Sequence, residues 1–196
     1  AIRTGELPAP FDLKAGDAVE IRQPDAEPRL PFSTTVNYPG LGRDLRVGAT
    51  VLVDNGVLQF RVVSKDDERV TCQVMNPGLL GSRRHINLPG TRVNLPALTE
   101  KDRTCVALAA EIGVDFVAMS FARDALHIRE LKALIASHGS SAQVVAKIED
   151  QSAVQVADEI IQASDALMVA RGDLGIEVPI EELPLIQRRL VRKCVH

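Results

Sequence analysis

The most constraining feature of this sequence is a change in its hydrophobic pattern close to residue 94. Upstream of that point, Pro and Gly repeatedly interrupt short apolar segments, which is typical of short strands joined by turns. Downstream, continuous apolar runs at 114–121, 143–149 and 165–170 alternate with segments whose apolar residues recur every three or four positions. We therefore predict an all-β unit over residues 4–93 and strands alternating with helices over residues 94–196.

Within the first part, residues 50–63 give the clearest hairpin signal, because Asn55-Gly56 suits a two-residue turn with positive φ at both positions. Residues 64–69 are predicted to be a polar turn that leads into a strand at 70–75. Residues 76–90 are typical of a loop. This succession of short strands favours a small all-β barrel.

Helix-capping residues place the helices of the second part. Thr99 with Asp102 predicts a capping box, and Gly113 predicts the end of that helix. Asp124 is expected to cap the next helix, and a third helix is expected around 153–161. Glu181 and Glu182 are placed in the first turn of the last helix. The predicted inward faces are Cys105, Leu108, Ala109 and Ile112; Ile128, Leu131 and Ile135; and Leu183, Ile186, Leu190 and Cys194.

The apolar runs begin 29 and 22 residues apart, at 114, 143 and 165, which indicates parallel βαβ units with strands buried on both faces. A doubly wound sheet and a (βα)8 barrel both remain open at this point. A complete barrel needs roughly 250 residues, so a barrel would be present only in part.

Composition excludes several function classes. The formal net charge is -3, with no basic run, which argues against a nucleic-acid binder. No apolar run approaches the ~18 residues of a membrane span. The three cysteines form no CxxC pair, so we expect reduced thiols in a cytoplasmic protein and no zinc site.

In parallel βα folds, chemistry lies at the carboxyl ends of the strands. Lys147 and Glu149 end the second strand and are two residues apart, so both side chains point to the same face. Opposite charges there are costly unless they serve each other or a ligand, which leaves a structural ion pair and a binding site as alternatives.

The third strand runs into ARGDLG at 170–175. Gly172 and Gly175 would let backbone N–H groups approach an anion ahead of a helix, and Asp173 offers a hard oxygen ligand. A plain βα turn is the alternative, and cell adhesion through the RGD tripeptide is disfavoured at the end of a buried strand. Glu149 and Asp173 end adjacent strands, so their carboxylates are expected to converge on Mg²⁺ beside Lys147, a set suited to phosphoryl transfer or enolate chemistry.

Six segments resemble, in order and spacing, those of the pyruvate kinase family: IRTG, SRRHINLPG, LPALTEKD, DFVAMSF, AKIED and MVARGDLGIE. The resemblance implies an internal piece of a longer protein, with an α/β fold in which about three βα units of a (βα)8 TIM barrel carry an inserted all-β barrel lid. Residues 1–3 would end an N-terminal barrel segment, residues 4–93 would be the lid, and residues 94–196 would be part of the catalytic barrel.

The resemblance also implies a role for each matching residue. Lys147 would face the transferred phosphoryl group, and Glu149 and Asp173 would bind Mg²⁺ or Mn²⁺. Gly172 and Asp173 would bind the substrate carboxylate, beside Ser120 and Phe121. The residues expected near the nucleotide are Arg3, Asp54 and Arg84, with hairpin-turn chemistry as the alternative for Asp54. The family's K⁺ ligands would lie mostly outside this chain.

The activity implied is the last step of glycolysis, in which phosphoenolpyruvate and ADP give pyruvate and ATP, in a cytoplasmic homotetramer. A metal-dependent aldolase or lyase of the pyruvate-enolate group, and a non-catalytic folded fragment, are the alternatives. The sequence departs from the family at Arg83-Arg84, where lysines are common, and at His85, where glycine is common.

Overall fold

The computed structural model describes residues 2–91 and 93–195. The chain divides into two compact units, one ending at Leu95 and the other beginning at Pro96. This division lies two residues beyond the boundary expected from the sequence, and each unit has its own hydrophobic core. The first unit consists mostly of strands and the second of strands and helices, so the chain has a mixed α/β fold.

The first unit holds eight strands and one short helix among its described residues: β1 (Phe11–Leu13), β2 (Ala18–Arg22), β3 (Ser33–Thr35), α1 (Leu41–Asp44), β4 (Thr50–Val53), β5 (Leu58–Lys65), β6 (Arg69–Val74), β7 (Gly78–Leu80) and β8 (Ile86–Asn87). The second unit holds α2 (Glu100–Ile112), β9 (Phe116–Met119), α3 (Ala125–Ser137), β10 (Gln143–Ile148), α4 (Gln151–Gln155), α5 (Ala157–Ala163), β11 (Ala166–Val169), α6 (Arg171–Glu177) and α7 (Leu183–Val195).

Six strands of the first unit form one sheet in the order β3-β2-β6-β5-β4-β8, and β1 pairs with β7 in a second, two-stranded sheet. Isolated bridges join Arg3 to His85 and Thr4 to Val36, and the buried side chain of Ile2 packs in the same core, so the first described residues belong to this unit. The core is made by inward-facing side chains of alternating strand positions, such as Leu58, Phe60 and Val62 of β5.

The predicted hairpin is confirmed. The β4 and β5 strands are antiparallel, and the Val57 N–H donates to the Asp54 carbonyl around Asn55 and Gly56, whose φ values are 58° and 82°. Asp54 also has a positive φ, of 54°. Two neighbouring predictions were wrong in detail. The β5 strand continues to Lys65, within the turn expected at 64–69. The loop expected at 76–90 contains β7 and β8, because the backbone groups of β7 pair with β1 and those of β8 pair with β4.

The three strands of the second unit are parallel, as predicted, and lie in the order β11-β10-β9. The capping box of Thr99 and Asp102, the left-handed Gly113 and the Asp124 cap are likewise confirmed. Burial raises the pKa of the Asp102 carboxyl, but hydrogen bonds from Thr99 outweigh it and leave the pKa below its ordinary value.

Several helix predictions were wrong in detail. One helix was expected around 153–161, but α4 and α5 are separate and meet at Val156. The α7 helix begins at Leu183, so Glu181 and Glu182 precede it. Cys194, Cys105, Leu108 and Ile112 are exposed, since no described element of this unit covers those faces, whereas the faces of Ile128, Leu131 and Ile135 and of Leu183, Ile186 and Leu190 are buried.

The strands were expected to be buried on both faces, and only one face is. Val144, Ala146 and Ile148 of β10 are buried on the face that packs against helices. On the opposite face, Phe116 of β9 and Met168 of β11 are 58% and 45% exposed. The polar side chains at the strand ends stand on this second face.

Candidate active site

The site begins with an ion pair at the carboxyl end of β10. Lys147 Nζ lies 2.5 Å from Glu149 Oε1 and donates to Ser120 Oγ at 3.2 Å. Alternation along an extended strand puts residues 147 and 149 on the same face, as the sequence predicted. The Glu149 side chain is 2% exposed and that of Lys147 is 24% exposed, so the lysine side chain is the more accessible of the two.

The second oxygen of Glu149 is held by the backbone of the neighbouring strand end. Phe121 N–H donates to Glu149 Oε2 at 2.8 Å. Phe121 has a φ of 51°, a left-handed conformation that is a true outlier for a bulky residue and costs about 1–3 kcal/mol. The sequence placed Ser120 and Phe121 only as lining residues. The structure gives each of them a hydrogen bond to the charged pair.

Two residues that the sequence analysis did not select, Arg123 and Asp150, lie beside this pair. Arg123 Nε is 3.3 Å from Asp150 Oδ2, and the Arg123 guanidinium carbon is 5.6 Å from the Phe121 ring centroid. Asp150 also caps α4, because its Oδ1 accepts from the Ala153 N–H and from Ser152 Oγ. Aspartate is a residue type that commonly caps helices, so the sequence could have indicated the cap at Asp150. No local pattern in the sequence indicates that Asp150 pairs with Arg123.

The end of β11 passes directly into α6, so ARGDLG is largely helical rather than a loop ahead of a helix. Asp173 is half-buried in the first turn. Space for a Cβ is open at Gly172, whereas a Cβ at Gly175 would lie 3.3 Å from Leu183 Cδ2. Close packing against α7 therefore accounts for a glycine at position 175, and an anion contact at either glycine stays a prediction.

The residues expected near the nucleotide belong to the first unit, where the structure brings two of them together. Arg84 Nη1 lies 3.3 Å from Asp54 Oδ1. The Asp54 N–H donates to the His85 carbonyl, and Arg3 Nη1 donates to the Arg83 carbonyl at 3.1 Å. Asp54 thus has the turn geometry that was one of its two alternatives, and its contact with a nucleotide stays a prediction.

The donor set fits a hard divalent cation. Glu149 and Asp173 supply carboxylates that follow the neighbouring strands β10 and β11. Among the described residues, no group of three or more His, Cys, Asp or Glu side chains is arranged to hold a metal. Two protein carboxylates suit Mg²⁺, which retains several waters and substrate oxygens in its octahedral shell. A metal between Glu149 and Asp173 stays a prediction.

Comparison with known proteins gives the family. The sequence model described as the pyruvate kinase barrel domain matches residues 1–196. The chain belongs to the pyruvate kinase family. The pyruvate kinases of Bacillus licheniformis and Geobacillus stearothermophilus are 43% and 44% identical to it over 187 residues, which is 94% of this chain and 32% of each relative.

A solved pyruvate kinase from Cryptosporidium parvum matches the fold with a TM-score of 0.92 at 33% identity, over 98% of this chain and 41% of that one. The chain thus spans about a third of the length of the curated pyruvate kinases it matches. These relatives do not support the aldolase, lyase or non-catalytic alternatives. None of the helices in the described part of the chain has the length and apolar character needed to cross a bilayer.

Proposed function

We propose that this chain supplies part of the catalytic site of an enzyme that transfers the phosphoryl group of phosphoenolpyruvate to ADP, giving pyruvate and ATP. The observation that carries the proposal is the end of β10, where Lys147 is held by Glu149 and Ser120 on the open face of a parallel sheet. Membership of the pyruvate kinase family supports it.

The architecture proposed with this function is a partial (βα)8 barrel of three βα units carrying an inserted β-barrel lid. Three features support it: the parallel order β11-β10-β9, the spacing of the strands and helices in βα units, and the mostly β unit that precedes them in the chain. Residues 4–93 would be the lid and residues 94–196 the barrel part.

Lys147 is proposed to face the phosphoryl group in transfer. An ammonium group has three N–H donors, and the described residues that bind Nζ are Glu149 and Ser120. One donor is then left for a phosphoryl or enolate oxygen. The bond from phosphorus to the enol oxygen breaks, a β-phosphate oxygen of ADP bonds to phosphorus, and the methylene carbon of the enolate gains a proton. Negative charge grows on the leaving oxygen, where a fixed cation stabilises the transition state most.

Glu149 and Asp173 would hold Mg²⁺ or Mn²⁺, which supplies charge neutralisation and orientation of the substrate oxygens when bound. The N–H groups of Gly172 and Asp173 lie in the first turn of α6, where backbone donors lack intrahelical partners, and they would bind the substrate carboxylate. Ser120 and Phe121 would complete the substrate side of the site. The ligands for K⁺ would lie mostly outside this chain.

Arg3, Asp54 and Arg84 are proposed to contact the nucleotide. Their support is the Arg84–Asp54 ion pair and the exposure of Arg3 and Arg84 to solvent. The proposal also includes a cytoplasmic homotetramer that binds neither nucleic acid nor membrane.

A lactate-dehydrogenase-coupled assay of pyruvate formation tests the function. The full-length protein that contains this sequence should turn over phosphoenolpyruvate and ADP in the presence of Mg²⁺ and K⁺. The 196-residue chain alone should do so barely or not at all, because phosphoryl transfer depends on positioning by several strand ends at once. Absence of pyruvate from the folded full-length protein would refute the proposal.

A further inference from the structure

We propose that Arg123 is a positioning residue for this site, which acts on Glu149 and Lys147 through Asp150 and the strained backbone of Phe121. The inference rests on the proposed function. Arg123 would contact neither substrate nor metal. Its role would be to hold the loop after β9 in the one conformation that delivers the Phe121 N–H to Glu149.

Arg123 makes two contacts with the site's framework. Its Nε lies 3.3 Å from Asp150 Oδ2, and its guanidinium carbon lies 5.6 Å from the Phe121 ring centroid. The side chains of Arg123 and Asp150 are 17% and 10% exposed. Partial burial makes such a pair less screened by solvent than a surface pair, so its geometry is more strongly enforced.

The backbone conformation of Phe121 requires contacts that hold it in place. A left-handed φ of 51° at an aromatic residue persists only when surrounding contacts over-determine it. The conformation has a chemical consequence, because it brings the Phe121 N–H to Glu149 Oε2 while the preceding Ser120 accepts from Lys147. If the loop relaxed to an ordinary φ, both hydrogen bonds to the charged pair would be disturbed together.

Asp150 and the adjacent Gln151 connect this loop to the end of β10 and to α6, the helix that follows β11. Asp150 directly follows Glu149, and its Oδ1 is held by the N-terminal turn of α4, which fixes the carboxylate that Arg123 contacts. The next residue, Gln151, donates its N–H to Glu177 Oε2 at 3.3 Å, at the far end of the helix that carries Asp173. Arg123 therefore belongs to a chain of contacts that joins the ends of β9 and β10 to the carboxyl end of α6, the helix that follows β11.

The test uses the full-length protein with Arg123→Met, Arg123→Lys and Asp150→Asn. Arg103→Met is the matched control, since Arg103 also pairs with a carboxylate of another element, Glu130 at 2.6 Å, but away from the strand ends and with both side chains over 40% exposed. The readouts are kcat, the KM for ADP, and Mn²⁺ binding measured by electron paramagnetic resonance of the free ion.

Arg123→Met should lower kcat and weaken Mn²⁺ binding by about 10–100-fold, the range seen when a residue that orients a ligand is lost. The KM for ADP should stay within about twofold, because the residues proposed to bind ADP lie in the first unit. Arg123→Lys should restore part of both losses. Asp150→Asn combined with Arg123→Met should be no worse than Arg123→Met alone, as expected for two members of one interaction.

Normal kcat and Mn²⁺ binding in Arg123→Met would overturn the inference, as would losses equal to those of Arg103→Met. If Arg123→Met does not fold, wild-type behaviour of Arg123→Lys and Asp150→Asn would overturn it equally. A wild-type protein without pyruvate formation would refute the proposed function instead, and Mn²⁺ binding would still test the role of Arg123.

Discussion

At the scale of single residues, the contact between Lys147 and Glu149 serves two purposes. The buried carboxylate of Glu149 needs a cation beside it, and Lys147 supplies one at 2.5 Å. The Lys147 side chain nevertheless remains 24% exposed, which a purely structural partner does not require. Kinetics of a variant that removes the charge distinguishes a structural pair from a catalytic one.

Lys147→Met in the full-length protein should reduce kcat by at least about 10²–10³-fold, the typical cost of losing one preorganised electrostatic group. Phosphoenolpyruvate binding, followed by isothermal titration calorimetry, should be largely retained, because the charge matters most where negative charge develops. Lys132→Met is the control, since Lys132 pairs with Asp165 at 2.8 Å outside the site. A fully active Lys147→Met protein would remove the proposed mechanism.

The two carboxylates at neighbouring strand ends give a second prediction. Glu149→Gln and Asp173→Asn should each weaken Mn²⁺ or Mg²⁺ binding by at least about tenfold, because an amide oxygen carries no charge for a hard cation. Titration of the metal against the full-length protein measures this, with the exposed Glu111→Gln as control. Unchanged affinity in both site variants would count against the metal site.

At the scale of elements, the sheet of the first unit encloses an ion pair of its own. Glu20 of β2 and Arg69 of β6 are 3.1 Å apart and almost fully buried. Glu20 Oε1 also accepts from Ser33 Oγ and from the Arg29 N–H, and Arg69 donates to the Glu27 carbonyl. These contacts attach the Pro-rich segment between β2 and β3 to the sheet, which apolar packing alone would not orient.

This network predicts an acid-dependent loss of stability. Burial favours a raised pKa for the Glu20 carboxyl, but hydrogen bonds from Ser33, Arg29 and Arg69 outweigh it and hold the pKa below the ordinary 4.5. Because this pKa is lower in the folded state, the ionised Glu20 contributes its full share of the free energy of unfolding above about pH 4.5. That contribution is lost as the pH falls through the lowered pKa of the folded state.

Glu20→Gln should therefore be less stable at pH 7 by about 2 kcal/mol, because it removes the one buried carboxylate bonded to Arg69 and leaves only the more exposed Asp66 and Glu68 beside the guanidinium. Between about pH 5 and pH 3, the stability of this variant should also fall less than that of the wild type. Urea unfolding at several pH values measures both, with the exposed Asp12→Asn as control. An unchanged acid dependence in Glu20→Gln would show that other groups dominate.

At the scale of the whole molecule, the two units differ in how completely they bury their apolar surface. The strands of the first unit surround one core, whereas the three-stranded sheet of the second unit packs on one face only. Phe116 and Met168 on its other face are exposed, and among the described residues β9 and β11 each pair only with β10. Open edges and an apolar face favour pairing with another chain.

The 196-residue chain should therefore self-associate, sedimenting in analytical ultracentrifugation above the 21.2 kDa of one copy at micromolar concentration. Phe116→Thr with Met168→Lys should shift the population toward monomer, because the substitutions make the exposed face polar. Val47→Thr, at an exposed position of the first unit, is the control. A monodisperse wild-type monomer would contradict the prediction.

The sequence by itself determined the features that depend on local periodicity and capping. Alternation placed Lys147 and Glu149 on one face, and the spacing of apolar runs gave three parallel strands. Asn55-Gly56, Thr99 and Gly113 marked a turn and two helix ends, because their conformations are set by nearest neighbours.

Tertiary structure decided whatever depends on residues distant in the chain. Arg123 and Asp150 are 27 positions apart, and their pairing follows from the adjacency of β9 and β10 rather than from any local pattern. The left-handed φ of Phe121 could not be read from the sequence, because a glycine is the usual sign of this conformation and position 121 is an aromatic residue. Contacts with surrounding residues impose the conformation. The apolar faces of Leu108 and Ile112 were assigned inward from periodicity, yet burial requires a facing element, which periodicity cannot supply.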